Sequence, residues 1–161
     1  MSPYGQRPLD LGADCVVHSS TKYIGGHSDV LGGAIVTRDD ELASQLYFIQ
    51  KSGGAVPSPF DCWLLLRSTK TLALRVKKAS ENALLLAQML DDHPSVLHTI
   101  YPGLQNHPQH QLAKRQQKEA LGRVSGQFGA GRGVKNFKES SKYELSKASV
   151  SPSLIRLYIS P

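Results

Sequence analysis

Cysteine and tryptophan are scarce: 161 residues contain two cysteines and one tryptophan. Two cysteines exclude a disulfide-stapled secreted scaffold. Cys15 and Cys62 each stand among apolar neighbours and read as reduced, buried thiols rather than a disulfide or a metal site. No apolar run reaches the roughly 18 residues that a membrane-spanning helix needs. The longest helical candidate is interrupted by Arg67, Lys70 and Arg75. The opening Met1-Ser2-Pro3-Tyr4-Gly5-Gln6-Arg7 has no apolar signal core, so the expectation is a cytoplasmic chain with no membrane contact. Blocks of like charge are also missing. The net charge of +6 comes from 19 basic and 13 acidic residues. Most of the excess follows position 110, in Lys114, Arg115, Lys118, Arg123, Arg132, Lys135 and Lys138. Spread along helical patterns, these charges read as a solvated face, with an acidic partner as the alternative and no nucleic acid expected.

What is present describes a folded chain. Hydrophobic residues make up 40% and charged residues 20%, a globular balance. The length suits one ordinary domain, or one and a half small ones, with a real core. Cys15–His18 and Leu31–Thr37 read as buried strands flanking a polar, glycine-rich stretch from Ser19 to Asp29. Asp39-Asp40-Glu41 opens a helix, since acidic side chains favour the positive end of its dipole, and Gly53-Gly54 closes it. After Pro57 and Pro59 the pattern predicts one long helix over about Phe60–Asp92. Leu72, Val76, Ala79, Ala83, Leu86 and Leu90 form its buried face at spacings of three and four. Pro94 ends it. Val96–Tyr101 reads as a strand and Gln109–Leu121 as a helix. A strand over Val124–Phe128, a helix over Val134–Tyr143 and a strand over Leu154–Ile159 complete the pattern. The change at His93-Pro94 is the expected boundary between two domains, and the Ser- and Lys-rich residues 139–152 suit a flexible join.

The most informative segment is His18-Ser19-Ser20-Thr21-Lys22-Tyr23-Ile24-Gly25-Gly26-His27-Ser28-Asp29. It follows a strand, which puts it at a strand's carboxyl end, where open α/β sheets hold ligands. Hydroxyls and small residues are what a phosphate needs nearby, and a lysine amine condenses with an aldehyde. From composition alone, a solvated loop lysine and ordinary loop-capping hydroxyls are the commoner case. His107 and His110 have a ligand-like spacing but read as a loop and a helix start, so no metal site is expected. Trp63 and Phe60 are expected to pack against the domain.

The wording of that segment closely resembles the lysine motif of the cystathionine/methionine-metabolism family of pyridoxal 5'-phosphate (PLP) enzymes, which includes cystathionine gamma-lyase, gamma-synthase and beta-lyase. The resemblance continues through Ser2-Pro3-Tyr4-Gly5-Gln6-Arg7-Pro8-Leu9 and Leu11-Gly12-Ala13-Asp14. It runs on through Gly54–Cys62, Arg67 with Lys70-Thr71-Leu72, Tyr101-Pro102-Gly103-Leu104 and His107-Pro108-Gln109-His110. It is dense to about residue 117 and returns at Leu154-Ile155-Arg156-Leu157. It implies an α/β fold: the C-terminal part of an aspartate-aminotransferase-like (fold type I) PLP domain over residues 1–93, with an incomplete small C-terminal domain over residues 94–161. It implies PLP as cofactor, held covalently by Lys22, with Ser19 and Thr21 donating to its phosphate. Lys22 would also shuttle protons between substrate carbons. Arg156 would pair with the α-carboxylate of a small amino-acid substrate, a planar fork suiting a carboxylate better than lysine would. Without the resemblance, Arg156 reads as an exposed strand residue, and His27 and Asp29 carry no more than an orienting role. The implied chemistry is transsulfuration, elimination or replacement at the β or γ carbon of cystathionine, cysteine or an activated homoserine. Lyase and synthase use the same lysine and arginine. The implied assembly is a homo-oligomer.

Family members are more than twice this length. The chain is therefore expected to represent a fragment that starts where the family's cofactor domain is already more than half complete. A non-catalytic remnant or interaction module is the alternative that follows.

Overall fold

A computed structural model of the chain describes residues 2–118, 125–128, 150–151 and 154–156. Its contacts group the chain into two compact units, Met1–Val76 and Lys77–Ser160. The division falls within the helix Leu72–Asp91.

The first unit opens on a tight helical turn, Pro8–Leu11, closed by Gly12 in the left-handed conformation. Strand β1 (Cys15–Ser19) then pairs antiparallel with β2 (Gly33–Thr37), Cys15 opposite Thr37 and Ser19 opposite Gly33. The Thr37 hydroxyl donates to the Asp14 carbonyl at 2.8 Å and accepts from the Asp39 amide, locking the end of the hairpin. Helix α1 (Asp40–Gly53) starts where the Asp39 carboxylate accepts the Leu42 amide at 2.9 Å. Gly54, with φ near +69°, ends it in the left-handed region that a side chain would oppose. Helix α2 (Pro59–Thr69) has Pro59 in its first turn and Ser58 as its cap, the hydroxyl accepting the Asp61 amide at 3.1 Å.

Three sequence expectations need correction here. Neither strand is deeply buried: β2 is exposed along most of its length, because among the described residues β1 and β2 form a sheet of two strands only. Val17, Leu31, Ile35 and Val36 all lie exposed. The long helix is interrupted, α2 ending at Thr69 and α3 (Leu72–Asp91) beginning at Leu72. At the break, the Thr69 and Thr71 hydroxyls donate to the carbonyls of Leu66 and Ser68, a local alternative to the helical ladder. The cysteines are half-buried and unpaired, more accessible than the sequence suggests.

The second unit packs α3 against strand β3 (Val96–Ile100) and the turn after it. Ala83, Ala87 and Leu90 form a closed core with Tyr101 and Leu104, and Leu86 and Val96 lie at its margin. The helical spacing read from the sequence therefore finds the correct face, with Val76, Ala79, Ala83 and Leu90 buried along it. The described strands form an antiparallel sheet in the order β3–β4–β6–β5, with β4 Ser125–Phe128, β5 Val150–Ser151 and β6 Leu154–Arg156. Ser125 lies opposite both Ile100 and Arg156. Helix α4 (His110–Gln116) is shorter than expected, its chain turning extended at Gln117. The helix expected over Val134–Tyr143 lies outside the described residues.

Candidate cofactor-lysine site

Strand β1 delivers the chain to the site. At its carboxyl end the Ser20 amide still donates to Gly32 at 3.0 Å, and the backbone then winds into a single wide turn, Ser20–Ile24. The Gly25 amide closes the turn on the Ser20 carbonyl at 2.8 Å, and the Gly26 amide bonds the Lys22 carbonyl at 2.7 Å. Two glycines are required here. A Cβ on Gly25 would stand 2.7 Å from the Ser20 carbonyl oxygen, and Gly26 combines φ near +68° with a Cβ position 1.9 Å from the Arg75 guanidinium. Lys22 leaves helical geometry, at φ −91° and ψ −127°, in the middle of the turn.

Three of the residues singled out from the sequence come together on this turn. The Lys22 side chain is exposed, and neither its amine nor the exposed Ser19 hydroxyl has a partner among the described residues. The Thr21 hydroxyl accepts the Gly32 amide at 3.0 Å, and its own proton meets the Gly32 carbonyl only at 3.4 Å, a weakly held contact. Between them, Ser20 is buried with its hydroxyl unpartnered. A free amine flanked by hydroxyls with protons to give fits a group carrying both an aldehyde and a phosphate. Arg156 belongs to the other unit, where the backbone of β6 positions it opposite Ser125.

Beneath the turn lie groups that the sequence reading left aside. Arg75 donates from Nη1 to the Tyr23 carbonyl at 2.8 Å and from Nη2 to the Ile24 carbonyl at 3.4 Å. It is anchored in turn by the Ser68 carbonyl at 2.9 Å from Nη2 and the Thr71 hydroxyl at 3.1 Å from Nε. Burial lowers its pKa below the ordinary arginine value. Nδ1 of His27 stands 2.7 Å from the Gly25 carbonyl, so the proton sits on that nitrogen, with the Ser68 hydroxyl 3.4 Å away. This contact suits the orienting role read for His27. Tyr23 is half-buried, and desolvation raises its phenol pKa. A signal for Arg75 did exist in the sequence. It stands between Leu74 and Val76 with no acidic residue three or four positions away on α3, so its charge needs acceptors from another segment.

The remaining candidates have local roles. His107 Nδ1 accepts the Gln109 amide at 3.1 Å, and His110 Nδ1 lies 2.9 Å from the Pro102 carbonyl, so each ring caps its own loop. Phe60 and Trp63 stack on one another, with Arg67 over the Trp63 ring at 5.8 Å. Both rings are exposed, so they do not pack into the domain as expected.

The sequence model for the family described as Cys/Met metabolism PLP-dependent enzyme matches residues 1–157. The chain belongs to that family. It is 56% identical over 131 residues to a cystathionine gamma-synthase of Mycobacterium bovis, covering 81% of this chain and 34% of that protein. It is 56% identical over 124 residues to a cystathionine gamma-lyase of Dictyostelium discoideum, covering 77% of this chain and 32% of that one. A solved cystathionine gamma synthase from Xanthomonas oryzae pv. oryzae, in complex with aminoacrylate and cysteine, superposes with a TM-score of 0.82. That match has 44% identity over 95% of this chain and 39% of the solved one. The fold is thus that of part of an aspartate-aminotransferase-like (fold type I) PLP enzyme. The chain spans about a third to two fifths of the length of the relatives it matches.

Proposed function

We propose that this chain carries the cofactor lysine and the substrate-carboxylate arginine of a PLP-dependent enzyme of transsulfuration. Its reaction is elimination or replacement at the β or γ carbon of cystathionine, cysteine or an activated homoserine. The observation that carries this reading is the unpaired Lys22 amine on the turn at the carboxyl end of β1, flanked by the Ser19 and Thr21 hydroxyls. In this reading Lys22 binds PLP covalently, and Ser19 and Thr21 donate to its phosphate. PLP, when bound, supplies an electron sink for charge developing on the substrate carbons. The chain's own contribution is to bind and to move protons. With PLP bound, the Lys22 amine would accept the proton from the substrate Cα and return it to a neighbouring substrate carbon. Arg156, on the family resemblance, pairs with the substrate α-carboxylate.

Residues 1–93 correspond in this reading to the end of the PLP-binding domain and residues 94–161 to part of the small domain, in a cytoplasmic homo-oligomer. A second reading, an interaction module without turnover, is favoured by one observation. Val17, Leu31, Phe48, Trp63 and Leu66 of the first unit are all more than half exposed, a surface that suits a covering partner. Titration with PLP separates the two. The catalytic reading expects a visible absorbance band that is lost in Lys22→Ala. An unchanged band in that variant overturns it.

A further inference from the structure

The turn that carries Lys22 is weakly built by its own backbone. Its described closing bonds are those from Gly25 to Ser20 and from Gly26 to Lys22, and Lys22 itself is off helical geometry. The direction in which the lysine projects is therefore set by whatever holds the residues on either side. On the near side this is β1, through its pairing with β2. On the far side, side chains bind three successive carbonyls, Tyr23 and Ile24 through Arg75 and Gly25 through His27.

We propose that Arg75 is a positioning residue for Lys22: its guanidinium, anchored on Ser68 and Thr71 at the break between α2 and α3, grips the far side of the turn and fixes the lysine's projection. The inference rests on the reading of Lys22 as the cofactor lysine. Four contacts of the guanidinium run in two directions. Nε and one Nη2 contact hold the helix break, while Nη1 and the other Nη2 contact hold the turn. A planar fork with five N–H donors can serve both sides at once, whereas an ammonium on a flexible stem serves one. Among the described residues Arg75 makes no ion pair, so its acceptors are neutral and its hold is directional rather than a matter of charge neutralisation. The interruption of the long helix acquires a reason. There the Ser68 carbonyl, which also takes the Thr71 amide and hydroxyl, lies within reach of Nη2, and the Thr71 hydroxyl lies within reach of Nε. Gly26 completes the arrangement, since a side chain there would occupy the place of the guanidinium.

The test uses the full 161-residue chain and two readouts, amide hydrogen exchange at Gly25 and Gly26 and the fraction of chain trapped at Lys22 by PLP and borohydride. In Arg75→Met, exchange at the two glycines should rise about tenfold or more, the expected effect of losing charge-assisted bonds from a closed turn, with trapping reduced by a similar factor. Arg75→Lys should recover part of both. Amides of Leu46 on α1 and Leu90 on α3 report whether each unit stays folded. Unchanged exchange and trapping in a folded Arg75→Met chain would overturn the proposal. If Arg75→Met unfolds the chain, Arg75→Lys decides. Faster glycine exchange with Leu46 and Leu90 still protected supports the grip, and wild-type exchange overturns it. Absence of trapping in the wild-type chain would overturn the cofactor reading instead, a result distinct from trapping that is indifferent to Arg75.

Discussion

Replacement of Leu90 by alanine probes the core on which the second unit depends. Leu90 is fully buried on α3, between Ala83 and Ala87 of the same helix and Tyr101 and Leu104 of the following segment. The substitution removes three carbons, worth about 2.4 kcal/mol at roughly 0.8 kcal/mol for each buried methylene. The surrounding residues cannot fully refill the space, because two of the neighbours are alanines that have nothing to extend. The cavity should carry the total to about 3–4 kcal/mol, within the range seen for buried leucines. Leu85 supplies the control. It lies on the same helix with the same propensity, yet it is 65% exposed, so Leu85→Ala should stay within about 0.5 kcal/mol of the parent. Urea unfolding followed by far-UV circular dichroism measures both at once, because the difference in midpoint at constant slope isolates burial. Equal, small effects at positions 85 and 90 would refute the assignment of this face as the core.

Removing the carboxylate in Asp39→Ala takes away the cap on the Leu42 amide, so stability should fall by about 1 kcal/mol, with loss of helicity that the same unfolding experiment detects. Tyr23, whose phenol pKa is raised above its ordinary 10.0 by burial, should make the folded state less stable as pH rises past 10. The sign follows because the unfolded chain loses that proton first, and the folded state must either hold it or expose the ring. In Tyr23→Phe that part of the alkaline loss should vanish from thermal melts, and a persistent loss of the same size would assign it to other groups. Gly54→Ala should cost on the order of 1 kcal/mol, because Gly54 ends α1 at positive φ with no neighbour near enough to compensate.

Periodicity located the elements that bury a stripe, and it did so for a physical reason. The spacing of Val76, Ala79, Ala83 and Leu90 reflects a helix packed on one side, a constraint local enough to appear in the sequence. The break at Lys70-Thr71 was not legible, because no proline or glycine marks it. It depends on threonine hydroxyls binding nearby carbonyls and on an arginine that reaches to the Lys22 turn, far away in sequence. Strand identity was readable in Val16-Val17 and Ile35-Val36, but burial was not. Apolar β-branched residues indicate a face that can be covered without indicating what covers it. At the candidate site, motif wording singled out Ser19, Thr21 and Lys22. The support beneath them, through Arg75, Ser68 and His27, is a set of tertiary contacts to backbone carbonyls; the missing acidic neighbour of Arg75 signals a need for outside acceptors without saying where they lie.

The central claim is that Lys22 alone among the lysines is the PLP lysine. Incubation with PLP, reduction with borohydride and peptide mapping by mass spectrometry tests it directly. The account predicts the pyridoxyl label on Lys22 and its disappearance in Lys22→Ala, with exposed helix lysines such as Lys77 and Lys114 unlabelled. Label spread evenly over Lys22, Lys77 and Lys114 would contradict it.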